Sequence, residues 1–134
     1  MTLLVPDVGE LNLLNRALGK VTPTNLTLAL FTSNTTPADG DTLATYTKMT
    51  ATFGYADITL TMANWTVTTI ANVASATYAQ QTWTFTGAAG NQYGYVIHDG
   101  TSIVYAERFT AGPYNILNNG DIIRVTPVVT LSKV

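Results

Sequence analysis

His98, Asp99 and Ser102 stand close together and are the residue types from which a base, an orienting acid and a nucleophile are made. Their setting argues against that use. Asp99 and Gly100 separate two apolar runs, which signals a tight hairpin turn because Gly supplies positive φ without steric cost. A nucleophile and its base need a supported, water-excluding pocket with oxyanion donors, and an exposed turn offers neither. His98, the only histidine, therefore reads as an imidazole flanking a turn.

Four acids invite the same question. Asp57 and Glu107 fall in or beside predicted strands, but a glycosidase pair must face one cleft at a set separation. Arg108 follows Glu107 on the opposite strand face, so these two do not pair with each other and each is expected to find a cross-strand partner. Asp39 and Asp41 could offer carboxylates to calcium, yet such an ion takes six to eight oxygens, so a solvated turn is expected. Gly87 and Gly90 bound a loop with no helix N-terminus behind it to cradle a phosphate. With no cysteine there is neither a disulfide nor a thiolate metal site. The expectation is a chain that is not an enzyme, with no catalytic residue, metal or cofactor. Tyr93, Tyr95, Tyr105, Trp65 and Trp83 could line a carbohydrate platform. At period two in an antiparallel sheet, aromatics are more often core and cross-strand pairs, so sugar binding stays open only for those that are exposed.

The elements that would position these residues are mostly strands. From Gln81 to Phe109 the chain reads as a three-stranded meander: Trp83 and Phe85 alternate with Thr82, Thr84 and Thr86, placing aromatics on one face and hydroxyls on the other. Leu26, Leu28 and Leu30 share a face of a strand within Asn25–Ser33, and a second strand lies in Tyr55–Met62. A bend near Ala63–Asn64 leads to Trp65 and Val67, and Val73–Tyr78 is expected as an irregular edge segment. Tyr46 and Phe53 look like anchors for the stretch from Thr42 to Phe53. In the last strand Ile123, Val125, Val129 and Leu131 share a face, and Pro127, lacking an amide donor, places it at an edge or breaks it.

Before the strands comes a helix. Pro6, Asp7 and Glu10 resemble a capping box, Val8, Leu11, Leu14 and Leu18 recur at helical spacing, and Gly19 suits a left-handed cap. The apolar stripe of this Val8–Leu18 helix must pack either on its own sheet or on a neighbour. Together the pattern predicts an all-β fold, an antiparallel β-sandwich of about 7–9 strands. Residues 1–134 form one domain, with 1–20 as N-terminal arm and helix.

Composition narrows the partners. Charged residues are 10% of the chain and net charge is −2, against a typical charged share of about 25%. The 25 threonines supply the polar surface. Arg16, Lys20, Lys48, Arg108, Arg124 and Lys133 are scattered and the pI is about 5.0, which disfavours a nucleic-acid face. No segment reads as a membrane span or signal peptide, so synthesis in the cytosol and no membrane partner are expected. So uncharged a surface has little long-range repulsion to keep copies apart; a homo-oligomer is expected, a trimer among the options, with a Thr-rich soluble monomer as the alternative.

Several stretches taken together resemble small virion structural proteins of tailed bacteriophages: VPDVGEL (5–11), NLTLALFT (25–32), GYA (54–56), TYAQQTWTFTG (77–87), YGYVI (93–97), YAERF (105–109) and NGDIIRVTP (119–127). The resemblance covers most of the chain. It implies a β-rich virion component, among which a capsid decoration or cement protein suits the size. A tail, neck or fibre-associated protein and a carbohydrate-binding module are the alternatives. The implied partners are the major capsid protein and copies of the chain itself. The expected interface comprises Leu3, Leu4, Val5, Pro6, Leu11, Leu14, Pro37 and Tyr114, on the arm, the helix and the loops Asn34–Asp41 and Ala111–Asn119. Deleting residues 1–7 is expected to abolish capsid binding and leave the domain folded.

Overall fold

The computed structural model describes residues 5–131. The helix α1 (Asp7–Ala17) is followed by β1 (Leu26–Phe31), β2 (Ile58–Leu60), β3 (Thr66–Ile70), β4 (Val73–Thr77), β5 (Gln81–Thr84) and β6 (Gly90–Gln92). Then come β7 (Gly94–His98), β8 (Ile103–Arg108), β9 (Tyr114–Ile116), β10 (Ile122–Val125) and β11 (Val128–Leu131). All pairings between named strands are antiparallel. The described chain is thus mostly β, with α1 and two short 3-10 turns, Leu43–Thr45 and Met62–Asn64, as its helical pieces.

Four strands form a sheet in the order β2-β1-β7-β8. A second set is built on a bent ribbon. Val128 lies opposite Thr77 and Val125 opposite Gln81, and between them the Tyr78 N–H donates to the Pro127 carbonyl at 2.9 Å. β4 and β5 therefore run alongside β11 and β10 as one pair of strands. The bend falls at Pro127, which has no amide to give the ladder, as the sequence predicts. β3 adds to the outer side of β4, and β6 pairs with β9.

The alternation in β1 is real, but both its faces are buried. Leu28 and Leu30 join a core with Tyr95 and Ile97 from β7 and with Trp83, Phe85, Ile123 and Val125 from the ribbon. Ala29 and Phe31 enter a second cluster with Val96, Ala106 and Tyr46. The loop after β1 carries Tyr46 against Phe31, with ring centroids 4.9 Å apart, and so covers the far face of the sheet. Tyr46 is the anchor its position suggests. Phe53 is half exposed and is not.

Three expectations are corrected. The meander does not form: β5 pairs with β10, and the neighbours of β7 are β1 and β8. Past Thr84 the chain stays in the ribbon, where the Phe85 N–H donates to the Asp121 carbonyl at 2.8 Å and extends the β5–β10 ladder. Val73–Thr77 is a central strand, not an irregular edge, because Ala71 (φ 50°) and Asn72 (φ 66°) make a two-residue turn that folds it onto β3. The β7–β8 connection spans Asp99–Ser102, since the Asp99 carboxylate accepts from the amides of Thr101 (2.9 Å) and Ser102 (2.7 Å) and holds a wider loop than a two-residue turn.

α1 differs from expectation at both its start and its face. Pro6 is the N-cap and has no side-chain acceptor, so no capping box forms; the Asp7 N–H is taken instead by the Asp39 carbonyl at 2.9 Å. At the other end Gly19 is left-handed (φ 66°), as the sequence implies. The face turned to the sheet is that of Gly9 and Leu13. Gly9 sits so near the Val104 carbonyl that a Cβ there would collide with it, and Leu13 packs on the core. α1 thereby covers the outer edge of β8. The stripe of Leu11, Leu14 and Leu18 points away.

Candidate functional site

The outward leucine stripe is held in place by a polar clamp on the helix's other side. The Asp99 carboxylate lies 3.4 Å from the Arg16 guanidinium and accepts from Asn12 Nδ2 at 2.7 Å. Arg16 also donates to Asn12 Oδ1 (2.6 Å) and to the Thr24 carbonyl (3.0 Å). Burial would raise the Asp99 carboxyl. The Ser102 and Thr101 amides, with Asn12 and Arg16, outweigh burial and pull it down from 3.8 to about 2. Four partners on one carboxylate tie α1 to the β7–β8 loop.

Clamped this way, α1 exposes 60% of Leu11, 57% of Leu14 and 64% of Leu18. Of the expected interface, Leu11, Leu14 and Tyr114 are exposed and Pro37 is half-buried. Leu3 and Leu4 lie outside the described residues. Pro6 is fully buried and Val5 packs on the core, so neither is free for a partner. Removing residues 1–7 takes away the buried Pro6, the packing of Val5 on the core and the 2.9 Å hydrogen bond from Asp7 to the Asp39 carbonyl, and leaves the Arg16–Asp99 clamp.

The sequence reading overlooked a second apolar surface. Between α1 and the β11-β4-β3 sheet runs an open groove of about 250 Å³, lined by Leu13, Leu26, Met62, Trp65, Val67 and Val129. Val67 is 74% exposed beside it. One signal could have found it: from Ile58 to Ile97 there is no Asp, Glu, Lys or Arg.

The residues with chemical potential are not brought together. The Asp99 carboxylate faces α1 and its own loop, not His98. His98 is buried, its Nδ1 accepts from the Gly100 amide at 2.9 Å, and its Nε2 lies 3.5 Å from Lys48 Nζ. Desolvation first, and Lys48 second, lower its pKa. Asp57 accepts from the Tyr55 hydroxyl (2.7 Å) and lies 3.5 Å from Lys48. Glu107 is buried and accepts from the Tyr95 hydroxyl at 2.5 Å across the β7–β8 pair. Asp41 accepts from the Ala38 amide and the Tyr46 hydroxyl, as turn residues do. Among the described residues no three His, Asp or Glu side chains gather as metal ligands. Tyr95, Tyr105 and Trp83 are buried, and Tyr93 and Trp65 partly so, leaving no aromatic platform among them.

Comparison with protein-family models, with curated proteins and with solved structures gives no match.

Proposed function

We propose that the chain is a non-enzymatic structural protein of a tailed-bacteriophage virion. In this reading it is a capsid decoration protein, a β-sandwich of the four-stranded sheet against the bent ribbon, seated on the shell through α1. The observation that carries it is the leucine stripe facing solvent from a helix whose opposite face is fastened to the body. Burying a leucine is worth about 1.5–3 kcal/mol, so a three-leucine stripe gives each copy a modest hold. Repeated over many sites, modest holds add through multivalency. A surface with few charges suits such a joint, because little desolvation opposes contact. The resemblance of the sequence to virion proteins supplies the partner, the major capsid protein.

The test is binding to purified capsids that lack this chain. Leu11→Glu with Leu14→Glu leaves the buried face of α1 unchanged and should abolish retention on the capsids. Retention equal to that of the unmodified chain contradicts the reading.

A further inference from the structure

The sheet edges of this chain are treated unequally. The outer edge of β8 is covered by α1. β3 ends the β11-β4-β3 sheet with no strand beside it among the described residues, and Thr66, Val67, Thr68 and Thr69 are all exposed. Proteins blunt such edges with charged side chains, prolines, bulges or a covering element. β3 has none of these: it reads TVTTI, it pairs with β4 in unbroken register, and it lies inside the uncharged stretch from Ile58 to Ile97.

We infer that β3 is a self-pairing edge, which joins two copies of this chain antiparallel about a two-fold axis through Thr68. The backbone arithmetic selects this register. In a hairpin closed by two residues, the pair flanking the turn exchanges hydrogen bonds and alternate pairs follow suit. Ile70, Thr68 and Thr66 thus spend their backbone groups on β4, opposite Val73, Ser75 and Thr77. The N–H and C=O of Val67 and Thr69 point outward, without a strand partner among the described residues. An antiparallel second copy centred on Thr68 sets Val67 opposite its partner's Thr69 and Thr69 opposite its partner's Val67. Every one of those outward groups is then bonded.

The side chains agree with a copy as the occupant. Facing residues in that register are Thr with Thr and Val with Thr, pairs that favour cross-strand contact. No charge on either edge opposes the approach, whereas a charged partner strand would give up solvation with nothing here to compensate it. The two three-stranded sheets become one of six strands. Val67, so exposed in one copy, comes beside its partner's Thr69, and the apolar grooves of both copies lie on the same face.

This inference is independent of what the leucine stripe binds, so its test uses the purified chain alone, without capsids. Light scattering at about 100 μM should show a dimer, given a Kd of about 10 μM or tighter. Thr68→Lys puts two like charges on the axis, and Thr68→Glu does the same with the other sign; each alone should weaken dimerisation at least about tenfold. An equal mixture of the two variants should restore the dimer. Val67→Pro removes only an outward amide, so it should give a folded monomer, verified by its circular dichroism. A monomeric unmodified chain, a Thr68→Lys protein that dimerises as before, or a mixture that stays monomeric each overturns the inference.

Discussion

Arg16 on α1 and Asp99 between β7 and β8 stand 3.4 Å apart, and the pair fastens the helix on the side away from its exposed leucines. The Asp99 side chain is only 20% accessible and carries its charge because four donors surround it. Its carboxyl is held near 2 in the folded chain and returns to 3.8 on unfolding. A depressed folded-state value contributes stability that is present above the unfolded value and is lost as pH falls toward the folded one. Thermal denaturation should therefore show a drop in Tm between about pH 4 and pH 2. Asp99→Asn should remove most of that drop while lowering Tm at neutral pH.

Gly9 sets how closely the helix approaches. A Cβ at this position meets the Val104 carbonyl and the Val5 side chain. Gly9→Ala should destabilise the chain by about 1–3 kcal/mol, as overpacking does. Urea denaturation measures this, and a change below about 0.5 kcal/mol would mean the helix shifts freely.

The β3–β4 turn holds a residue in a conformation it disfavours. Ala71 has φ 50°, where an L-residue bears a penalty of about 1–2 kcal/mol that glycine escapes. Ala71→Gly should raise stability by up to about 1 kcal/mol, after the extra entropy of the unfolded glycine is subtracted. Urea denaturation of the variant checks the sign.

Two buried tyrosines near one carboxylate should behave oppositely. Tyr95 donates to Glu107, and Tyr95→Phe takes away a buried acceptor's partner, at about 1–3 kcal/mol. The Tyr105 hydroxyl is buried beside Tyr95 and Glu107 and makes no hydrogen bond of good geometry among the described residues. Tyr105→Phe deletes an unsatisfied group and should be neutral or stabilising. Equal losses from the two substitutions would contradict this assignment.

How much of this was legible in the sequence depends on whether a signal was local. The alternation of Leu26, Leu28 and Leu30, the break at Pro127 and the left-handed Gly19 each follow from a residue and its near neighbours, and each is found. What failed was pairing between distant segments. Nothing near Trp83 says that its strand seeks Ile123 instead of β7. The helix stripe was visible, but its direction was not: Gly9, the smallest residue on α1, made the closest approach, so the leucines faced out. The open β3 edge was legible only as an absence, the uncharged run from Ile58 to Ile97.

The central claim is that this chain decorates a capsid shell, and its copy number tests that most directly. On the proposed reading the chain is a phage virion component, and quantitative mass spectrometry of purified virions would compare it with the major capsid protein. The account predicts a ratio near one or a simple fraction of it. A handful of copies per particle, or none, would contradict it.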